Sequence, residues 1–261
     1  MTKIRKYQGV KYTGDQTSPV FDSVTIEKPL QIIVNKEAFT VTMRTPGDDF
    51  ELVRGLLFAE DVFSRQTIPQ MEFLKANDDQ LDTIKVKVPS SELKDGYKSA
   101  RNFLSVSSCG VCGKTELPKL EELLLLRTEG FSNNDFQISH YLNGLEEMKK
   151  LQNTFLETGG CHGVAILDYK GVIISIKEDI GRHNAVDKVI GDLLIRNGLK
   201  DASAILVSGR ISYEIIIKTF RARISTIVAV SAPSSLAIDY AKELGISLFG
   251  FSRGNKMTQY S

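Results

Sequence analysis

Ala204-Ile205-Leu206-Val207, then Ser208-Gly209-Arg210, then a helical run over 212–221, then Thr226-Ile227-Val228-Ala229-Val230: these residues read as strand, loop, helix and strand. Both strands are apolar without alternation, as strands covered on two faces are. The pattern continues on either side. Further strands are expected at Val164–Leu167, Val172–Ile176 and Ile246–Phe249, and further helices at 184–196 and 234–244. Alternation of this kind predicts an α/β domain over 158–261 with a largely parallel sheet.

In such a sheet the loops after the strands share one edge, where ligands of open α/β sheets bind. Those loops are Glu178-Asp179-Ile180-Gly181-Arg182-His183-Asn184, Ser208-Gly209-Arg210, Ser231-Ala232-Pro233-Ser234-Ser235 and Gly250-Phe251-Ser252-Arg253-Gly254-Asn255-Lys256. Several open helices, whose N-termini favour anions. Arg182, Arg210, Arg253 and Lys256 can neutralise phosphates, which points to a nucleotide-like or polyphosphate ligand. None of the loops is a P-loop or a G-x-G-x-x-G, so spacing does not name the ligand.

Upstream the signals are shorter. Val24-Thr25-Ile26 and Ile32-Ile33-Val34 read as strands, and Asn35-Lys36-Glu37 as a turn before Phe39–Met43. Thr45-Pro46-Gly47-Asp48-Asp49 opens a helix with Leu52, Val53, Leu56 and Leu57 on one face. Residues 82–88 alternate as a strand. We expect a small mixed α+β domain over 21–100, after a flexible, solvated arm over 1–20 that carries Lys3, Arg5, Lys6 and Lys11. Residues 101–157 then form a cysteine-motif loop and a helical connection, with helical patterns at 116–126 and 143–156.

Composition excludes whole classes. The chain has 261 residues, 42% hydrophobic and 25% charged, which is ordinary for a globular protein. With 33 Lys and Arg against 32 Asp and Glu, the net charge is +1 and gives no electrostatic case for nucleic acid. Aliphatic blocks such as Leu123–Leu126 are far short of a membrane span. No export signal is evident, and three cysteines are an odd number, so reduced thiols in a cytoplasmic protein are expected.

Ser107-Ser108-Cys109-Gly110-Val111-Cys112-Gly113-Lys114 is the sharpest chemical feature. Flanking glycines permit a tight, exposed backbone, and Lys114 favours thiolate over thiol. Half a zinc site, a dithiol redox pair and a nucleophile that carries sulfur as a persulfide all fit, against two packed structural cysteines. Zinc wants four ligands, and the further candidates, Cys161 and His162, are adjacent, so their side chains point apart in an extended segment. The zinc deaminase signature pairs H-x-E with P-C-x-x-C. Here Gly163-Val164 follows His162 and Ser108 precedes Cys109, so no metal is expected. His183 is either a ligand contact or a satisfied capping histidine, and Cys161 is as readily a small buried hydrophobe.

The cysteine motif resembles that of the formate dehydrogenase accessory sulfurtransferases, the FdhD family. So do Thr45-Pro46-Gly47-Asp48-Asp49, Thr158-Gly159-Gly160 with His162, Glu178 to Lys188, Ser208-Gly209-Arg210 with Ser212-Tyr213-Glu214, Ser231-Ala232-Pro233-Ser234, and Phe251-Ser252-Arg253-Gly254. The resemblance spans about residue 20 to residue 261 in the family's order. It implies a cytoplasmic sulfurtransferase that accepts sulfur from a cysteine desulfurase as a persulfide on Cys109, with Cys112 assisting. The sulfur passes to the molybdenum (or tungsten) of a bis(molybdopterin guanine dinucleotide) cofactor destined for apo-formate dehydrogenase. It also implies a C-terminal three-layer domain similar to the cytidine deaminase fold, a homodimer, and GDP as a surrogate ligand. The cofactor-binding residues expected are Phe251, Ser252, Arg253, Gly254, Asn255 and Lys256, with Ser208, Gly209, Arg210 and His183. The competing reading is a cofactor-binding chaperone whose C-x-x-C only gates or senses redox.

Overall fold

The computed structural model describes residues 1–76, 81–94, 96–97 and 137–261. Among them are three sheets and six α-helices, a mixed α/β architecture. The first sheet is a hairpin of β1 (Ile4–Thr13) and β2 (Gln16–Thr25), paired in register from Ile4↔Thr25 to Thr13↔Gln16. This corrects the flexible arm expected over 1–20. The hairpin exposes both faces, so it lacks the alternation that marks a half-buried strand. It is bound at its base, where Ser23 Oγ donates to Glu157 at 3.1 Å and Lys3 pairs with Asp48 at 3.0 Å.

The second sheet has the order β4-β3-β6-β5, with β3 Lys28–Val34, β4 Glu37–Arg44, β5 Gln70–Leu74 and β6 Asp82–Lys87. Leu30, Ile32 and Val34 alternate inward and pack with Ile84, Val86 and the apolar face of α1 (Asp49–Ala59). The turn between β3 and β4 places Asn35 and Lys36 at φ 48° and 72°, which suits a two-residue hairpin. Arg44 is fully buried, held by Asp49 at 2.9 Å and Asp82 at 2.8 Å.

The third sheet has the order β12-β11-β10-β9-β7-β8. Its strands are β7 His162–Asp168, β8 Ile173–Asp179, β9 Ala202–Val207, β10 Thr226–Ala229, β11 Ser247–Arg253 and β12 Lys256–Gln259. One face presents Val164, Ile166, Ile205, Val207, Ile227 and Leu248 to α4 (Arg182–Ile195), α5 (Tyr213–Arg221) and α6 (Ser235–Leu244). The other presents Ala165, Leu167, Ala204, Leu206, Val228 and Phe249 to Tyr141, Leu145 and Met148 of α2 (Ile138–Leu151). Helices therefore cover both faces. The helix expected over 143–156 is two helices, α2 and α3 (Asn153–Thr158), broken at the buried Gln152. Glu178 of β8 accepts the N–H groups of Thr154 and Phe155 at 2.9 and 2.8 Å, and so holds the start of α3.

The sheet is mixed, not largely parallel. β9, β10 and β11 are parallel, while β7 runs antiparallel to both its neighbours and β12 returns antiparallel to β11. β12 leads to a short clasp: Tyr260 N–H donates to Leu248 O at 2.8 Å and Ser261 Oγ donates to Ile246 O at 2.6 Å.

α1, packed on the second sheet, and α4, packed on the third, cross closely at two glycines. A Cβ on Gly55 would stand 1.9 Å from Asp187 O, and one on Gly191 would stand 1.9 Å from Glu51 O. Beside this crossing Asp48 is bridged by Lys177 at 2.7 Å and by Lys3. Burial raises the Asp48 carboxyl, but the hydrogen bonds from Lys177 and Lys3 outweigh it and hold it down at about 2. A depressed folded-state value contributes stability above the ordinary carboxylate range, lost as pH falls through about 2. We expect Asp48→Asn to lower the urea midpoint at pH 6, and the gap from wild type to close as pH approaches 2. A gap independent of pH would refute this.

Candidate functional site

Because β7 is antiparallel to β8 as well as β9, β8 runs in the direction of β9, β10 and β11. Four strands thus end at one edge, and β7 and β12 begin there. The expected gathering of loops holds although the sheet is mixed. Hydrogen bonds stitch them together. Gly163 N–H donates to Ser208 Oγ at 3.0 Å, Ser231 Oγ to Ser208 O at 3.3 Å, Ile211 N–H to Ala232 O at 3.2 Å and Phe251 N–H to Ser231 O at 3.2 Å.

Gly209 is buried against His162 and Arg182. A Cβ there would lie 3.2 Å from His162 Nδ1 and 3.6 Å from Arg182 Cβ. His162 begins β7, Arg182 opens α4 and Arg210 follows Gly209, so three segments bring three basic groups together. Burial, then Arg182 and Arg210, push the proton affinity of His162 down. Among the described residues, Arg182, Arg210, Arg253 and Lys256 have no ion-pair partner. The edge therefore carries unbalanced positive charge.

The far end of the edge is the β11–β12 hairpin. Phe251 is 53% exposed and sits at φ 51°. A bulky side chain in the left-handed region costs on the order of 1–2 kcal/mol. Such strain concentrates at binding sites. Ser252 is buried, whereas Arg253, Gly254, Asn255 and Lys256 are exposed, with Gly254 at φ 58° in the turn. His183 is placed differently. It is buried, and its Nε2 lies 3.0 Å from Ser212 Oγ and 2.9 Å from Glu214 Oε2. It ties the start of α5 to the first turn of α4 and supports the loops from beneath.

The interior beneath the edge was not visible in the sequence. Asp179 and Lys188 are fully buried and pair at 2.8 Å. Asp179 also accepts from Thr45 N–H at 3.0 Å, Gly181 N–H at 2.8 Å and Asn184 Nδ2 at 3.1 Å, and Lys188 donates to Thr45 O at 2.8 Å. The Thr45-Pro46-Gly47 loop of the first domain is thereby bonded to the loop that launches α4. The run from Glu178 to Lys188 held these residues, but nothing local marks which charges are internal.

Cys161 is buried, and its thiol is pushed up to about 12 by burial and by Glu178 and Asp179. The thiolate is the reactive form, so native protein at pH 8 is expected to leave Cys161 unalkylated by iodoacetamide. Rapid modification detected by peptide mapping would contradict this. Cys109 and Cys112 lie outside the described residues, as does the helical pattern at 116–126. No helix among the described residues is long and apolar enough to cross a membrane.

The fold and the edge define a mixed α/β protein whose strand ends gather basic side chains. A sequence model of the FdhD/NarQ family matches residues 25–261, so the chain belongs to that family. A sulfur carrier protein FdhD of Sulfolobus acidocaldarius is 39% identical over 261 residues, covering 99% of this chain and 97% of that relative. The protein of the same description from Picrophilus torridus is 40% identical over 249 residues, 93% of this chain and 91% of that one. That of Mycobacterium tuberculosis is 38% identical over 259 residues, covering 95% and 93%. The fold matches the crystal structure of a proposed formate dehydrogenase accessory protein from Desulfotalea psychrophila, with TM-score 0.76, 21% identity, and coverage of 100% of this chain and 97% of that one.

Proposed function

We propose that this chain is a cytoplasmic sulfurtransferase that loads sulfur on Cys109 and delivers it to a bis(molybdopterin guanine dinucleotide) cofactor at the loop edge. The sulfur carrier description of its relatives supports the sulfur chemistry. The observation that carries the ligand reading is the cationic edge that ends in the exposed, strained Phe251. In the loading step the Cys109 thiolate attacks the terminal sulfur of a cysteine desulfurase persulfide. The donor's S–S bond breaks, the donor leaves as a thiolate, and Cys109 holds the new S–S bond; a low thiol pKa on each side favours transfer. Cys112 assists as an alternative acceptor or resolving thiol. Delivery to the cofactor precedes its insertion into apo-formate dehydrogenase.

In this reading Phe251 stacks on guanine, worth about 1–3 kcal/mol by analogy with base–aromatic stacking. Arg253 and Lys256 meet phosphate, with Ser252, Gly254 and Asn255 shaping the turn, and Ser208, Gly209 and Arg210 lining the adjacent loop above His183. Helices on both sheet faces are compatible with a domain similar to the cytidine deaminase fold. A homodimer would offer two such edges to a cofactor with two guanines.

Two measurements test this. Incubation with a cysteine desulfurase and cysteine is expected to add about 32 Da per sulfur, and Cys109→Ala to abolish that gain. No gain on the wild type, with GDP still bound, would leave a cofactor-binding chaperone instead. Second, Phe251→Gly is expected to melt no lower than wild type, since glycine relieves the left-handed strain, while GDP affinity drops about tenfold or more. Unchanged GDP affinity would take Phe251 out of the site.

A further inference from the structure

We infer that His162, Arg182 and Arg210 form a site for a phosphoryl dianion, and that His162 takes up a proton as the anion enters. The inference rests on the reading of this edge as a nucleotide-cofactor site, and it adds a proton-linked pole distinct from the Phe251–Lys256 hairpin.

His162, at the start of β7, and Arg182, at the start of α4, meet over the buried Gly209, and Arg210 follows that glycine in the loop after β9. Arg182 Nε is shielded from solvent and has no hydrogen-bond partner among the described residues, although an arginine N–H in such a position normally has one. Arg210 is exposed. Arg182 opens a helix of 14 residues whose N-cap, Gly181, offers no side chain to the first-turn N–H groups, and these add to the positive end. Two guanidinium forks and oriented N–H groups match a tetrahedral oxyanion with several oxygens.

The charged groups that face His162 are Arg182, Arg210 and His183, which oppose its protonation, and Asp179, which favours it. Asp179 is already matched by Lys188 at 2.8 Å. Burial is the larger cause and the unbalanced cationic field adds to it, so the imidazole is biased toward its neutral form. A phosphoryl group with its second pKa near ~6 brings about two negative charges at neutral pH. Placed between the arginines, it reverses the field on the ring, and the imidazole binds a proton from solvent. Affinity for the dianion then weakens as pH rises, because that proton becomes harder to supply.

The test is calorimetry of the full chain at pH 7 with inorganic phosphate, pyrophosphate, GDP and guanosine. Each titration is run in two buffers of different ionisation enthalpy, so that proton uptake is read directly. Phosphate, pyrophosphate and GDP are expected to bind with more net proton uptake in wild type than in His162→Gln, since any proton the ligand itself loses on binding as the dianion is common to both. Arg182→Gln and Arg210→Gln should each weaken all three about tenfold or more, while guanosine, which has no phosphate, is unaffected by either. His162→Gln should retain binding but lose that excess uptake. Arg210 is exposed, so its variant keeps the fold, and melting curves check the others. GDP and pyrophosphate affinities unchanged in both arginine variants would overturn the site. Proton uptake unchanged in His162→Gln would overturn the role of the histidine. If wild type ignores GDP yet binds pyrophosphate with proton uptake, the nucleotide reading fails and the oxyanion site stands. If GDP binds wild type and both arginine variants equally, the nucleotide reading stands and this inference falls.

Discussion

Gly55→Ala is expected to destabilise the protein by about 3 kcal/mol. On a solvent-facing helix the same change would stabilise by about 1 kcal/mol, since alanine is the better helix former. The sign reverses here because the added methyl would stand 1.9 Å from Asp187 O, a backbone atom that cannot rotate away. Gly191 faces the same constraint against Glu51 O, so α1 and α4 must separate to admit either side chain. For a chain of this size the melting temperature should drop by roughly 6–12 °C. Binding should suffer too, because α4 carries Arg182 and His183 at its start. A melting temperature at or above that of wild type would show that the two helices can part without cost.

Asp179→Ala is expected to cost about 3–5 kcal/mol, because it leaves the Lys188 ammonium buried without its carboxylate. Lys188→Met alone leaves the carboxylate buried and should be destabilising as well, although Thr45, Gly181 and Asn184 still donate to it. The double variant should be more stable than the sum of the singles implies, since it removes both charges. Denaturant unfolding of the four proteins closes the cycle. Additive losses, each below about 1 kcal/mol, would mean that water reaches this pair and that it does not hold the domains together.

Much of this fold could be read from residue pattern. Ala204–Val207 and Thr226–Val230 are apolar throughout because helices cover both faces of their sheet, and the helix over 212–221 shows its buried stripe at Ile215, Ile216 and Phe220. Strand direction left no such trace. An apolar run reports burial on two faces, not which way the chain passes, so β7 was assigned to a parallel sheet. Short edge strands such as β5 and β12 were missed because few of their residues are buried. Arg44, Asp179 and Lys188 carry no local mark of burial, and only contacts across long chain separations show them to be internal.

The candidate site was legible as a set of loops and as four cations, but not as a geometry. His162 entered the sequence argument as a failed zinc ligand and as part of the Thr158-Gly159-Gly160 motif, with no charge partner assigned. Its place beside Arg182 depends on Gly209, which admits the ring because it has no side chain. His183 was open between a ligand contact and a satisfied capping histidine, and its Nε2 is engaged by Ser212 and Glu214.

The clasp at Tyr260 and Ser261 has a practical consequence at the bench. The strand that returns from the Phe251–Lys256 turn is only four residues long, and it is secured by the bonds to Ile246 and Leu248. An affinity handle fused directly after Ser261 would compete for those anchor points and pull on the Phe251–Lys256 turn. It could then be mistaken in a binding assay for weak intrinsic affinity. The opposite end is the better place for a handle, since Met1 is 70% exposed and precedes the hairpin base held by Lys3 and Asp48.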